Sequence, residues 1–193
     1  MHSFFAMLSR MKYINRWGLM RSTQPENIAE HSLEVAYIAH VLALLRVRRF
    51  AIPCDPDRAA LLGLYHDVTE IITGDLPTPV KYHSPEIRRA YGEVEALAAD
   101  RLLNMLPEDL REDYASLLQE NSAADEALLP LVKAADKISA VIKCVEERKT
   151  GNREFIAAEK TLREAVSAMH LPEADAFMEE FLPAYEKTLD EYE

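Results

Sequence analysis

The sequence is short of the residues that a β-rich or disulfide-stabilised protein needs. Its 193 residues include only five glycines and two cysteines, Cys54 and Cys144. Folds with many tight turns use more glycine, and two cysteines without ligand-like spacing favour a reducing compartment. No segment shows the two-residue alternation of a half-buried strand. Ala, Leu, Glu and Arg, which favour helices, are abundant instead, so the composition predicts an all-α fold.

Positive charge is also scarce. The formal net charge is −11, which argues against a nonspecific nucleic-acid-binding protein. Residues 1–50 are the exception, with seven Lys or Arg against three glutamates. A small basic region in an acidic protein favours a compact anionic ligand over a polyanion.

Long apolar runs are missing as well. The longest, around residues 36–45, is interrupted by His40 and is too short to cross a bilayer. The N-terminus has no apolar stretch and no small-residue cleavage site of the kind found in signal peptides. We therefore expect a cytoplasmic protein without a membrane partner.

Helix start and stop signals divide the chain into helices of one domain, residues 1–193. Asp55 and Ser84 each precede a proline, which is typical of an N-cap followed by the first helical position. Gly74 and Gly151 stand where helical patterns end. The eight predicted helices are 3–15, 26–48, 56–72, 85–105, 107–119, 126–149, 153–169 and 173–191.

Three segments depart from a simple series of regular surface helices. Pro130 predicts that the sixth helix begins later or kinks. Residues 75–79, with two prolines, are predicted to form a loop rather than a helix. The last helix carries Phe177, Phe181, Leu182 and Tyr185, and forms a dimer face or covers its own core; periodicity does not separate the two.

Three predicted helices are apolar nearly all round but carry ionisable residues. His31 begins one, His66 and Asp67 lie in the next, and Asp136 interrupts the third. Buried carboxylates are normally paired, protonated or bound to a metal, because burying a lone charge is expensive. Two imidazoles and two carboxylates make a mixed donor set that suits Zn²⁺, Mn²⁺, Fe²⁺, Co²⁺ or Ni²⁺ better than Ca²⁺. We predict that these four residues hold one metal ion.

Glu70 shares this face. It follows His66 by four residues and Asp67 by three, so a regular helix places it one turn along from both. We expect it beside the metal rather than on it, where it handles a proton of water. Taken alone, each residue also fits an ordinary role, as a core histidine, an ion-paired aspartate or a surface glutamate. The presence of all five residues together in three buried helices favours a metal site.

These residues form the signature of the HD-domain phosphohydrolase superfamily, which the sequence resembles. The stretches SFFAMLSRMKYINRW, EHS, YHDVTEIITGDLPTPVKY and LVKAADKISAVIKCVEE are similar to the bacterial 5′-deoxynucleotidase family. The resemblance implies a single-domain HD-domain bundle of about eight helices, a homodimer, and hydrolysis of deoxyribonucleoside 5′-monophosphates to deoxynucleoside and phosphate. Val68 and Thr69 differ from the smaller or more variable residues expected there, but no role is assigned to them.

The resemblance also implies roles for individual residues. Glu70 is the catalytic acid/base, Arg16 orients the phosphate, and Trp17 walls the sugar pocket and helps to reject a ribose 2′-hydroxyl. Four residues ligate one divalent transition metal ion, Co²⁺, Mn²⁺ or similar: His31, His66, Asp67 and Asp136. Four residues of the proline-rich loop hold the nucleoside, the first by accepting from the sugar 3′-hydroxyl: Asp75, Leu76, Pro77 and Thr78. From the residues alone, Arg16 fits a surface charge and Trp17 a packing aromatic equally well.

Three alternatives remain. Another HD chemistry, on deoxynucleoside triphosphates or a signalling nucleotide, calls for more basic residues near the site or for additional ligand histidines. An inactive nucleotide-binding HD scaffold would be marked by loss of a ligand or of Glu70, and all five residues are present. A purely structural bundle does not explain five ionisable residues in apolar helices.

Overall fold

The structure, a computed structural model, describes residues 1–81, 83–119 and 125–192. Within these ranges the chain forms ten α-helices and no strand, apart from one isolated bridge between Asn15 and Asn27. The helices are α1 (Phe4–Leu8), α2 (Ile28–Phe50), α3 (Pro56–Tyr65), α4 (Glu70–Thr73), α5 (Thr78–Lys81), α6 (Pro85–Leu103), α7 (Arg111–Leu118), α8 (Leu129–Lys149), α9 (Ile156–Ser167) and α10 (Pro172–Glu180). Short 3₁₀ turns cover Met11–Tyr13, Glu108–Leu110, Arg153–Phe155, Leu182–Glu186 and Leu189–Glu191.

The predicted all-α fold is confirmed over this part of the chain. The predicted domain of residues 1–193 also includes Tyr82, residues 120–124 and Glu193, which lie outside the described residues.

A capping box fixes the start of α2. The side-chain oxygen of Asn27 accepts the backbone N–H groups of Ala29 and Glu30 at 3.0 and 3.1 Å. The Glu30 carboxylate accepts the backbone N–H of Asn27 at 3.3 Å in return. These reciprocal bonds satisfy N–H groups that have no partner inside the helix. They also fix the first turn of α2, which carries His31.

The predicted helix 56–72 is divided in the structure. It begins at the predicted cap, since the Asp55 side chain accepts from Arg58, but α3 ends before a turn at residues 66–69 and α4 follows. Beyond α3 the backbone bonds span three residues instead of four, as from the N–H of Glu70 to the carbonyl of Asp67 at 3.0 Å. Such tighter winding inside a helix often marks a functional segment. The regular helix assumed in placing Glu70 is therefore wrong.

Two other predicted boundaries are wrong for reasons that involve proline. Thr78 belongs to α5 rather than to a loop, because Pro79 stands in the first helical turn, where no N–H is needed. The predicted helix 173–191 ends at Glu180 in α10, and Pro183 lies in the 3₁₀ turn that follows.

Helix α8 and the C-terminal segment resolve two open alternatives. Helix α8 begins at Leu129 with Pro130 in its first turn, so the later start is the correct one. Phe177 and Leu182 are 4 % and 2 % exposed and pack into the core. The C-terminal segment therefore covers its own core with these two side chains.

Buried apolar side chains form two clusters. The first joins α2, α3, α8 and α10 and includes Val35, Leu42, Leu62, Ile138 and Phe177. The second joins the N-terminal residues to the end of α6 and includes Phe4, Met11, Ile28, Val68 and Leu102. Because Ile28 and Val35 flank His31, and Leu62 and Val68 flank His66, the predicted site lies where the two clusters meet.

Gly63 allows a close approach between α2 and α3. A Cβ atom at this position would lie 3.1 Å from the Cα of Ala36 and 3.2 Å from its nitrogen. Both atoms belong to the backbone and cannot give way easily, so a side chain here would push the helices apart. The packing of α2 on α3 sets the distance between His31 and His66.

By length and composition alone, α2 could also cross a membrane. Its most apolar 18-residue window has a mean hydropathy of 1.4, and 56 % of that window is buried inside the protein. The core helix of a soluble protein meets the same criterion. The packing of α2 against α3 and α8 is that of such a core helix.

Candidate active site

Three of the four predicted metal ligands converge. His31 lies in the first turn of α2, whereas His66 and Asp67 occupy the turn after α3. The potential ligand atoms of the three side chains lie within 4.8 Å of one another. The Oδ2 atom of Asp67 is 3.1 Å from His66 Nε2 and 3.5 Å from His31 Nε2. This spacing fits donors around a single ion.

Helix α8 adds Asp136 at the open side of this cluster. Its Oδ1 atom lies 3.2 Å from His31 Nε2 and 3.8 Å from the guanidinium of Arg16. The Asp136 side chain is 40 % exposed, whereas the His31 side chain is fully buried. A small ligand therefore has access from the side of Asp136.

The ring nitrogens of both histidines suit metal ligation. His66 donates its Nδ1–H to the carbonyl of Gly63 at 2.7 Å, and His31 Nδ1 lies 3.0 Å from the Oγ of Ser139. Both Nε2 atoms are buried, and neither makes a hydrogen bond to any residue that the structure describes. Metal-binding histidines typically use one nitrogen for the metal and the other for such a support. The donor set therefore fits a metal ion.

The electrostatics of the cluster also favour a cation. Burial lowers the pKa of His31, and Arg16 adds to that effect. Burial opposes protonation of His66 too, but the neighbouring carboxylates, above all that of Asp67, raise its pKa to about 9. Burial likewise disfavours the charge on Asp67, yet His66 and His31 hold the pKa of that carboxyl well below its usual range.

Glu70 stands beside the cluster, at the start of α4. Its side chain is buried, and within the described residues its Oε2 atom has no hydrogen-bond partner. Burial, followed by the charges of Asp67 and Asp75, raises its pKa to about 9. A buried carboxyl group with a raised pKa next to the potential metal ligands is a candidate acid/base residue.

Arg16 and Trp17 precede α2, and Trp17 has an unusual backbone conformation. Trp17 has a φ of 61°, in the left-handed region that a bulky residue seldom adopts. Its backbone N–H opposes the rise that burial causes in the pKa of Asp75. Its ring packs on Phe155 with centroids 5.3 Å apart. Strained residues of this kind persist where their surroundings hold them, and they cluster at functional sites.

The remaining predicted loop residues make no polar contact with this cluster in the described part of the chain. Leu76 and Pro77 are half-buried, and Thr78 is exposed. Over the described ranges, no hydrogen bond or ion pair joins these three residues to the predicted ligands or to Glu70.

Sequence reasoning missed three residues that support the site. Ser139 contacts His31 and donates to the carboxylate of Glu34 at 2.5 Å, and Glu26 binds both Arg16 and Trp17. Ser139 follows Asp136 by three residues, and Glu34 follows His31 by three, so helical spacing could have indicated both. Glu26 gave no such signal, because it reaches the site through the path of an irregular segment.

Solved structures of HD-domain phosphohydrolases share this fold. The HD-domain phosphohydrolase of Listeria innocua superposes with a TM-score of 0.79 at 23 % sequence identity, covering 95 % of this chain and 88 % of that one. A cyanophage S-2L HD phosphohydrolase, described as bound to dA and one catalytic Zn²⁺ ion, superposes with a TM-score of 0.67 at 24 % identity. That match covers 95 % of this chain and 96 % of the phage protein. The protein therefore has the predicted HD-domain fold.

Sequence comparison identifies the family within this class. A family model described as 5′-deoxynucleotidase YfbR-like matches residues 3–185, and the chain belongs to that family. A 5′-deoxynucleotidase of Vibrio parahaemolyticus is 50 % identical over 188 residues, which are 97 % of this chain and 96 % of that protein. One from Photorhabdus temperata is 47 % identical over 191 residues, 99 % of this chain and 96 % of the relative. The predicted family is confirmed.

Proposed function

We propose that this protein is a metal-dependent 5′-deoxynucleotidase, which hydrolyses deoxyribonucleoside 5′-monophosphates to a deoxynucleoside and phosphate. The observation that carries the proposal is the convergence of His31, His66 and Asp67 in a member of this family, with two buried Nε2 atoms that make no hydrogen bond within the described residues. Whole-length identities of 47–50 % to proteins named as 5′-deoxynucleotidases support the choice of substrate class.

Four residues would hold one divalent transition metal ion, Co²⁺, Mn²⁺ or a similar ion: His31, His66, Asp67 and Asp136. The mixed nitrogen and oxygen donors support this choice of ion. When bound, such an ion acidifies water and screens negative charge on a phosphoryl group.

Arg16, Trp17 and the segment at Asp75 would bind the substrate. The Arg16 guanidinium has five N–H groups and points toward Asp136, so it can donate to phosphate oxygens beside the ligands. Trp17 walls the sugar site and Asp75 accepts from the 3′-hydroxyl; the effect of the Trp17 backbone N–H on the pKa of Asp75 supports a shared sugar site. Leu76, Pro77 and Thr78 extend this site toward the base.

Glu70 would manage the proton of the reaction. A water oxygen forms a bond to phosphorus, and the bond from phosphorus to the 5′-oxygen breaks. One proton leaves the water, and one reaches the departing oxygen. Glu70 takes the first or supplies the second, and its buried position one short turn from Asp67 supports either transfer.

The proposal extends to the state of the protein in the cell. We expect residues 1–193 to form one domain that acts as a cytoplasmic homodimer. Exposed apolar side chains on two helices support the dimer, because a subunit interface would cover them. Tyr37 on α2 is 65 % exposed and Leu97 on α6 is 69 % exposed. Sedimentation of the purified protein at micromolar concentration tests the dimer.

Two variants test the assignment of the site. Glu70→Gln is expected to bind metal like the wild type but to release phosphate from dAMP at least about 100-fold more slowly. His66→Gln is expected to lose metal affinity and activity together. Wild-type turnover by Glu70→Gln would contradict the role of Glu70, and unchanged metal affinity in His66→Gln would contradict the metal site.

A further inference from the structure

We propose that Glu26 is a positioning residue that fixes the side chains of Arg16 and Trp17 and, through Trp17, sets the selectivity for deoxyribose over ribose. The inference rests on the proposed function, in which Arg16 orients the phosphate and Trp17 walls the sugar site. No role follows for Glu26 from its position in the sequence.

One carboxylate oxygen of Glu26 binds both side chains. Its Oε2 atom accepts from the indole Nε1–H of Trp17 at 2.8 Å and from the guanidinium of Arg16 at 3.2 Å. The side chains of Glu26 and Arg16 are only 12 % and 13 % exposed. Hydrogen bonds to a charged acceptor are about twice as strong as neutral ones, and shielding from water strengthens them further.

The backbone holds Glu26 opposite Arg16. The carbonyl of Glu26 accepts the backbone N–H of Arg16 at 2.9 Å, and the carbonyl of Ile14 accepts that of Ile28 at 3.0 Å. These bonds flank the bridge between Asn15 and Asn27. Because the two segments are paired at this register, the backbone of Glu26 is fixed opposite Arg16. The Glu26 carboxylate is therefore held within reach of its two partners.

Trp17 depends on this support more than an ordinary surface tryptophan would. Its φ of 61° is strained, and its ring lies tilted at 58° against the buried Phe155. Among the described residues, Glu26 is the only hydrogen-bond partner of the indole N–H. Without that bond the indole can rotate and the strained backbone can relax.

The consequence concerns the discrimination between two sugars. A wall that excludes one hydroxyl group must keep its position to within a fraction of an ångström. Loosening the indole therefore speeds hydrolysis of the ribonucleotide relative to that of the deoxyribonucleotide. The ratio of kcat/KM for dAMP over AMP reports this effect directly, and a general loss of folded protein does not change it.

The test combines this ratio with the fluorescence of Trp17, the single tryptophan of the chain. For Glu26→Ala we expect the dAMP-over-AMP ratio to fall about tenfold or more, together with a shift in Trp17 emission. Glu26→Gln keeps the shape and one acceptor oxygen but loses the charge, so we expect a fall of about threefold. If Glu26→Ala does not fold, Glu26→Gln alone decides the test.

Glu154→Gln is the matched control. Glu154 also holds the N-terminal segment, since it accepts the backbone N–H of Arg21 at 3.3 Å, but it makes no hydrogen bond to Arg16 or Trp17 within the described residues. The control is expected to keep the wild-type ratio and emission. The effect of Glu26→Gln on the ratio should also vanish in a Trp17→Phe background, because phenylalanine has no indole N–H.

A wild-type ratio and unchanged emission in both Glu26 variants would overturn the inference. An equal effect of Glu26→Gln in the Trp17→Phe background would overturn it as well, since Glu26 would then act through another residue. Failure of the wild type to hydrolyse dAMP would instead contradict the proposed function, so the two failures are distinguishable.

Discussion

The Nδ1 atom of His31 lies 3.0 Å from the Oγ of Ser139, which donates its own proton to the Glu34 carboxylate 2.5 Å away. When Glu34 is ionised, the Ser139 proton is committed to it, so the Ser139 oxygen accepts from His31 and Nδ1 carries the proton. The lone pair of His31 is then on Nε2, which faces Asp67 and Asp136. Glu34 on α2 and Ser139 on α8 thus orient the His31 ring for its proposed role as a metal ligand.

Removing the Ser139 hydroxyl tests this support. Ser139→Ala is expected to weaken metal binding by about 10- to 100-fold, which is typical when a hydrogen bond behind a ligating histidine is lost. Competition with a chromophoric chelator measures the change. Ser32→Ala is the matched control, since Ser32 is equally buried on α2 but its Oγ has no hydrogen-bond partner in the described part of the chain. Equal metal affinities for Ser139→Ala and the wild type would show that Ser139 does not orient His31 for metal binding.

Glu34 predicts a pH dependence of stability. Burial is the main cause that raises its pKa from 4.5 to about 7, and the bond from Ser139 opposes the rise. The folded protein therefore binds this proton more tightly than the unfolded chain, so ionisation of Glu34 destabilises the fold as the pH rises from about 4.5 to about 7. Glu34→Gln removes the titration.

We expect the melting temperature of Glu34→Gln, relative to the wild type, to be higher at pH 8 than at pH 5. Thermal unfolding of both proteins in metal-free buffers measures the difference. A difference that does not depend on pH would mean that Glu34 is already ionised throughout this range.

Substitution of alanine for glycine should have opposite effects on stability at Gly63 and at Gly92. Gly63→Ala places a Cβ 3.1 Å from the backbone of Ala36 and is expected to destabilise the protein by about 1–3 kcal/mol. It should also weaken metal binding, because the Gly63 carbonyl orients His66. Gly92→Ala on α6 meets no atom within 4 Å and should stabilise by up to about 1 kcal/mol. Urea titration of both variants checks the signs, and a stabilising Gly63→Ala would contradict the close packing.

Glu147 predicts a stability loss at the end of α8. Its buried carboxylate accepts from Lys143 at 2.6 Å and from the backbone and hydroxyl of Thr23 at 2.8 and 2.7 Å, which ties the segment before α2 to α8. Glu147→Gln leaves Lys143 without its counter-charge, so we expect a loss of about 3–5 kcal/mol at pH 7. The exposed neighbour Glu146 supplies the control, Glu146→Gln, with an expected change within about 0.5 kcal/mol.

The Glu147 effect should shrink in acid. Burial opposes the charge of Glu147, but the hydrogen bonds from Lys143 and Thr23 hold its pKa well below its usual range. Its contribution is therefore complete above the ordinary pKa of 4.5 and is lost as the pH falls toward the folded value. Urea titrations at pH 7 and pH 3.5 should show a smaller gap between wild type and Glu147→Gln at the lower pH. A constant gap would contradict the lowered pKa.

Much of the fold could be predicted because local signals agree with the final packing. The caps at Asp55 and Ser84 and the stop at Gly74 each depend on a few neighbouring residues, and the structure contains all three. The division of helix 56–72 was not predictable from propensity, since the turn at residues 66–69 changes the backbone hydrogen bonds while His66 and Thr69 keep helical backbone angles. A proline indicated a helix boundary correctly only when its place in the first turn of a helix, or after the end of one, was also known.

The candidate site divides in a similar way. His31, His66, Asp67 and Asp136 could be predicted as ligands because ionisable residues conflict with apolar helices, a contradiction that is visible in the sequence. Glu26 was missed since it lies in an irregular segment, where side-chain direction depends on backbone pairing rather than on a period.

Phosphate release from dAMP and AMP decides whether the protein is a metal-dependent deoxynucleotidase. Metal-stripped protein should be given Co²⁺, Mn²⁺, Mg²⁺ or Zn²⁺ in turn, with a metal-free sample alongside. We expect fast release from dAMP with at least one transition metal ion, slow release from AMP with the same ion, and none without metal. No release from dAMP with any of these ions would contradict the proposed function.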